Sequence, residues 1–269
     1  MTMVLDSTAE KNDIKIEKKG HILLIAWNRP EKYNALTLNM YHQLAKAYYQ
    51  LQNDDELRVA VVYGEGKHFT SGLQLDDWTQ VFSQGKLPDL AEDELDPYGL
   101  SGEVLRKPVI MAVQGLCYTA GIELLLNSDI RIAADNTRFA QLEVQRGFHA
   151  CGGATIRLPL EMGWGNAQRY LLTGDEWSAE QALNWGMVQQ VVPENDVLAT
   201  ALDVAEKVCK AAPLGVQGSL MSSKYVRLQQ EETAKARLFK DLMPVMKSKD
   251  MQEGLMSFLE RRDAVFEGC

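Results

Sequence analysis

Residues 107 to 135, KPVIMAVQGLCYTAGIELLLNSDIRIAAD, constrain the fold of this chain more than any other stretch. Residues 108 to 113 are a short apolar run bounded by turn residues, which is how a fully buried strand reads. Residues 115 to 121 break it with small and flexible side chains, and residues 122 to 127 resume with helical composition. A buried strand is therefore expected to run through a tight loop into a helix. The start of such a helix presents unpaired backbone N–H groups and the positive end of a dipole, so negative charge developing near Ala120 and Gly121 would be stabilised. Glu123 falls in the first turn, where it fits either a helix-dipole partner or a working carboxylate.

The flanking sequence has a repeating order. Residues 13 to 18 alternate apolar and charged side chains, Lys19 and Gly20 give a turn, and residues 21 to 27 form a more buried strand, so the pair reads as a hairpin. A loop over residues 28 to 34 leads to Thr37, an N-cap for a helix whose apolar positions are Met40, Tyr41, Leu44, Ala45, Tyr48 and Leu51. Residues 58 to 63 make the next strand. Residues 68 to 77 are a second place where a strand ends in small residues. Residues 79 to 102, polar and carrying Gly85, Pro88, Pro97, Gly99 and Gly102, suit a mobile loop that covers a site. Residues 137 to 143 then read as a short strand running into a loop that carries Glu143, and residues 147 to 153 turn into another helix. Two carboxyls in one site push their pKa values apart and can divide acid and base work; the plainer reading makes Glu123 and Glu143 a surface pair. Ser178 with Gln181 forms a capping box, Gly186 stops that helix, and residues 187 to 192 are a strand. From Asn195 the chain reads as helical. The expected division is a frayed N-terminus over 1–11, a core over 12–193 and a helical region over 194–269. The apolar surface of the last segment suits core packing or a subunit interface.

A net charge of −9 argues against a nucleic-acid binder or a basic membrane-surface protein, since both need clustered Lys and Arg. No apolar run approaches the ~20 residues that span a bilayer, and the opening residues lack the apolar core of a secretory signal, so a cytoplasmic protein is expected. Cys117, Cys151, Cys209 and Cys269 are widely spaced with no CxxC pair, which reads as free thiols rather than a zinc site.

Taken in order, these residues resemble the crotonase family, the enoyl-CoA hydratase/isomerase superfamily. Residues 28 to 36, NRPEKYNAL, look like its first CoA-contacting loop, residues 69 to 75, FTSGLQL, like its first oxyanion loop, and residues 107 to 135 like its second. The resemblance runs from Ile14 to Phe266, apart from residues 79 to 102. It implies an α/β fold, a crotonase-like spiral of repeated strand-strand-helix turns with a C-terminal helical trimerisation region. It also implies an oxyanion hole made by the backbone N–H groups of Leu73 and Ala120, with Glu123 and Glu143 as the catalytic pair. Arg29, Lys32, Ala35, Ser71, Gly72, Leu75, Gly121 and His149 would contact the substrate or its CoA, with Lys224, Arg261 and Arg262 as helpers from a neighbouring subunit. Three departures stand out: Ala120 where glycine is usual, Gln74 where an acidic residue is common, and Leu142 where proline is frequent.

The implied activity is hydration of a 2-enoyl-CoA by a homotrimer or hexamer, with no metal or redox cofactor, coenzyme A being part of the substrate. Glu123 would deprotonate water and Glu143 would protonate the α-carbon. An isomerase, a thioester or carbon–carbon hydrolase, and a non-catalytic acyl-CoA-binding protein are the alternatives. A Ser-His-Asp hydrolase is disfavoured because residues 70 to 72 lack the G-x-S-x-G elbow.

Overall fold

The computed structural model describes residues 13–269. The expected frayed segment, residues 1–11, lies outside them. Strands β1 (Ile14–Lys19) and β2 (Ile22–Trp27) form the antiparallel hairpin, with Ile14 opposite Trp27. Helix α1 (Leu38–Asn53) starts where the Thr37 hydroxyl accepts the Met40 N–H at 3.1 Å, and it buries Met40, Tyr41, Leu44, Tyr48 and Leu51. Strand β3 (Val59–Gly64) returns parallel to β2 and is followed by α2 (Leu75–Gln84). The central stretch forms β4 (Val109–Val113), β5 (Leu116–Tyr118) and α3 (Ala120–Asn127): the predicted strand and helix are there, but residues 116–118, expected as loop, pair with a neighbouring strand, and the helix starts at Ala120.

Next come β6 (Ile130–Ala134), β7 (Arg138–Ala140), α4 (Ala154–Met162) and α5 (Trp164–Thr173). They are followed by β8 (Trp177–Ser178), α6 (Ala179–Asn184) and β9 (Gln190–Val192). The Ser178–Gln181 capping box is present at α6, with both reciprocal hydrogen bonds. The remainder is helical: α7 (Val197–Lys210), α8 (Pro213–Met246) and α9 (Lys249–Glu260).

The strands form a six-stranded sheet in the order β1-β2-β3-β4-β6-β9 and a three-stranded sheet in the order β5-β7-β8. The chain passes from the first sheet to the second between β4 and β5 and again between β6 and β7, which builds the expected spiral. From β2 to β9 the larger sheet is parallel. One of its faces, with Val59, Val61, Ile110 and Ile132, packs on Val197, Ala201 and Ala205 of α7. The opposite face, with Ala60, Val62 and Met111, joins the main core with α1 and α3. Burial on both faces is why these strands read as unbroken apolar runs.

Residues 79–102 correct the expectation of a mobile loop. Trp78, Val81 and Phe82 are buried on one side of α2, and Leu95 and Tyr98 are buried beyond it. The Asp96 carboxylate accepts backbone N–H groups from Tyr98 at 2.9 Å, Leu100 at 2.9 Å and Ser101 at 3.0 Å, and the Tyr41 hydroxyl at 3.1 Å. One buried acidic side chain thus organises the turn that the glycines and prolines had suggested was loose. Glu143 also departs from the loop reading, since it opens a 3-10 helix, Glu143–Arg146.

Candidate active site

Three loops converge beyond the carboxyl ends of β2, β3 and β4, the edge of a parallel sheet where ligands characteristically bind. Buried Asn34 ties the first loop to the second: its side-chain amide donates to the carbonyls of Glu65 at 3.0 Å and His68 at 2.8 Å. Thr70 Oγ1 donates to the Asn34 carbonyl at 2.7 Å. Parallel bridges join Leu36 to Leu73 and Thr70 to Cys117, so the second loop lies between the first and the third.

This pairing decides which amides are free. The Leu36 N–H donates to the Gly72 carbonyl and the Gln74 N–H to the Leu36 carbonyl, leaving the Leu73 N–H on the other side of the bridge. Ala120 is the first residue of α3, where an N–H has no partner within the helix. Neither amide donates to another group among the described residues. Ala120 avoids the left-handed region, so its methyl group replaces a glycine hydrogen without backbone strain. The strained residue is its neighbour: Thr119 has φ 47° and ψ −112°, held by its N–H on the Ala140 carbonyl and by Ile122 and Glu123 N–H groups on its own carbonyl. Its hydroxyl faces Gly72, where an added Cβ would stand 2.0 Å from Oγ1.

A cavity of about 120 Å³ opens here, lined by Leu73, Thr119, Glu123 and Glu143. Leu142, Phe148 and Cys151 form part of its wall, while Arg146 and Phe258 of α9 bound another side. Glu123 Oε1 accepts the N–H groups of Gly152 at 2.6 Å and Ala154 at 3.2 Å. Gly152 approaches so closely that a Cβ there would lie 2.4 Å from Glu123 Oε2. Burial pushes the Glu123 pKa up to about 7, against the pull of those two N–H groups and of Arg157. Glu143 Oε2 is buried with no hydrogen-bond partner among the described residues. Burial, and then the neighbouring Glu123 charge, hold the Glu143 carboxyl well above the usual carboxylate range. The two carboxyls therefore share a site in which both pKa values are pushed upward, Glu123 holding two backbone N–H donors and Glu143 leaving one oxygen unpartnered.

The other predicted contacts divide. Ser71 and Leu75 line the cavity with Leu73. Gly72 and Gly121 shape the loops, and a Cβ on Gly121 would strike Thr70 Cγ2 at 2.4 Å. Arg29 braces the first loop, donating to the Ala35 carbonyl at 2.8 Å and Gln74 Oε1 at 3.0 Å. Gln74 thus spends its polarity on the loop. Lys32 is exposed beside that loop, and Ala35 is half-buried. His149 is not among the cavity-lining residues: it faces Leu238 and Asp241 of α8, and burial lowers its pKa. Lys224 is buried against Asp129 at 3.1 Å, and Arg262 pairs with Glu253 at 2.8 Å. Thr119, Arg146 and Phe258 were not singled out by sequence reasoning; the position of Arg146 three residues after Glu143 was the available signal. Among the described residues no group of three or more His, Cys, Asp or Glu side chains is placed to hold a metal ion. No helix among them is long and apolar enough to cross a membrane.

Residues 17–269 match the family described as Enoyl-CoA hydratase/isomerase. The chain belongs to this family, within the crotonase superfamily. It is 32% identical to the mevalonyl-coenzyme A hydratase of Aspergillus fumigatus, across 90% of each chain. It is 31% identical to an enoyl-CoA hydratase of Mycobacterium tuberculosis, across 95% of this chain and 96% of the other. The crystal structure of a probable enoyl-CoA hydratase/isomerase from Mycobacterium abscessus superposes with a TM-score of 0.78 at 39% identity, covering 96% of this chain and 99% of that one. A member of this family thus carries two buried glutamates at one cavity, with Leu73 on its wall and the unpaired Ala120 N–H next to Thr119, which also lines it.

Proposed function

We propose that this protein is an enoyl-CoA hydratase, adding water across the double bond of a 2-enoyl-CoA. The observation that carries this reading is two buried carboxyls, Glu123 and Glu143, at one cavity beside the unpaired Leu73 and Ala120 amides. The thioester oxygen would accept from the Leu73 and Ala120 N–H groups, each worth roughly 3 kcal/mol as negative charge grows on that oxygen. Glu123, whose carboxylate is favoured by two backbone N–H bonds, orients the water and takes its proton. Glu143, its pKa pushed upward by burial and by the Glu123 charge, supplies a proton to the α-carbon. Water adds as hydroxide at the β-carbon and a proton at the α-carbon, so no oxidant or reductant is needed. Exposed Lys32 suits a CoA phosphate, and the exposed apolar side chains Trp164, Leu172 and Leu214 suit assembly of three or six chains.

The test is incubation of the purified protein with a short and a medium-chain 2-enoyl-CoA, followed by loss of the conjugated-thioester absorbance and product mass. The expected result is a gain of one water, reduced about 10²- to 10⁴-fold by Glu143→Gln or Glu123→Gln. Hydration by both variants at the parent rate overturns the two-glutamate assignment. A product of unchanged mass with a moved double bond identifies an isomerase instead.

A further inference from the structure

Arg146 lines the cavity that holds Glu123 and Glu143, and nothing above gives it work. It closes the 3-10 helix that Glu143 opens. In that helix type side chains three residues apart eclipse, so both project from the same face. The guanidinium lies 4.6 Å from the centroid of the Phe258 ring, which holds it at the wall. Its hydrogen bonding is thin: Nη1 reaches the Gln145 carbonyl at 3.4 Å. Among the described residues no carboxylate forms an ion pair with it. Arg146 is half-buried, and the two fully buried arginines do have such a partner, Arg131 with Glu161 at 3.0 Å and Arg157 with Glu231 at 3.1 Å. Glu143 does not serve, since its Oε2 has no hydrogen-bond partner among the described residues.

We infer that Arg146 receives an anionic group at the far end of the acyl chain, so that the substrates are CoA thioesters of dicarboxylic acids. A planar guanidinium presents paired donors that match a carboxylate bidentately. The surrounding wall of Leu75, Leu142, Phe148 and Phe258 strengthens such a pair by keeping water away. Burial already lowers the Arg146 pKa, a cost that a bound anion relieves and a methyl group does not. Cationic acyl groups are repelled from the same place.

The inference deepens the hydratase reading, resting on it for the double bond but not for recognition of the acyl end. Glutaryl-CoA and pentanoyl-CoA have equal chain length and differ in ending with a carboxylate or a methyl group. Neither can be hydrated, so titration calorimetry reads recognition alone. The parent protein should bind glutaryl-CoA roughly tenfold or more tighter than pentanoyl-CoA. Arg146→Met should abolish that ratio, and Arg146→Lys should keep part of it. A melting curve for each variant separates lost recognition from lost fold. Equal affinities in the parent, a preference for pentanoyl-CoA, no binding of either, or a ratio unchanged in Arg146→Met each overturn the inference. Selective binding of glutaryl-CoA with no hydration of the corresponding 2-enoyl thioester would leave Arg146 its role and remove the hydratase reading.

Discussion

Two carboxyls confined to one cavity resist ionising together, and the cost appears in the stability of the protein as well as in its chemistry. Burial raises both pKa values, so the folded chain binds these protons more tightly than an unfolded one, in which glutamate titrates near ~4.3. Stability from this source is full below that value and declines as pH rises, through the range near 7 for Glu123. Glutamine copies the protonated form of Glu143. Glu143→Gln should therefore melt above the parent, with a gap that widens from about pH 5 to pH 8, while activity falls. A gap that is the same at both ends of the range removes the claim that the Glu143 pKa is raised. The identity of the two glutamates was legible in the sequence through the motifs around them. The upward shift of Glu143 was not, because it comes from burial and an orphaned oxygen that only the packed cavity reveals. Thr119 was hidden for a related reason: a β-branched residue at φ 47° violates local preference, and it is kept there by N–H groups of Ile122 and Glu123 donating to its carbonyl and by its own N–H donating to the Ala140 carbonyl.

Among the elements, α9 has the closest hold on the site. Gly254 packs so tightly on the 3-10 helix that a Cβ would lie 2.3 Å from the Arg146 carbonyl carbon and oxygen. Backbone cannot yield as a flexible side chain can. Gly254→Ala should push α9, and Phe258 with it, off the cavity. We expect a stability loss of roughly the 1–3 kcal/mol of an overpacked contact, read as a lower melting midpoint, together with a fall in kcat/KM. Unchanged kinetics with reduced stability would show that α9 is a prop rather than a wall. The sequence announced the helix through its apolar spacing but gave no partner for it, since contact with residues so far back in the chain leaves no local trace. The opposite error occurred at residues 79–102. There, glycine and proline drew attention away from Trp78, Val81 and Phe82, whose helical spacing holds the segment against the core.

Across the whole molecule, a buried ionic cluster joins parts that the sheets do not. Glu231 of α8, fully buried, pairs with Arg157 of α4 at 3.1 Å, Lys235 at 3.0 Å and Arg227 at 3.3 Å. Arg157 Nη1 also donates to the Tyr98 carbonyl at 2.7 Å. Burial pushes the Glu231 pKa up, but the three cations outweigh it and hold the carboxyl below its usual range. Glu231→Ala would leave Arg157 charged and unpaired, at a cost of about 3–5 kcal/mol. Chemical denaturation should show that loss, and an unchanged midpoint would mean that the cluster is bystander chemistry. Because α4 begins with the Ala154 N–H that binds Glu123, the same variant should also shift the pH at which activity half-disappears. The spiral and the helical C-terminal region were legible from the order of motifs; this cluster was not, since its members are ordinary surface-type residues until the fold removes them from water.

The contact of Gly254 on the Arg146 backbone also fixes a time order. A chain made from its N-terminus first has both glutamates and both amides in hand long before α9 exists. Until that late helix arrives, the cavity lacks the wall that Phe258 supplies and the 3-10 helix lacks the backbone it packs on. The site is therefore completed near the end of biosynthesis, after its glutamates and loops are already in place.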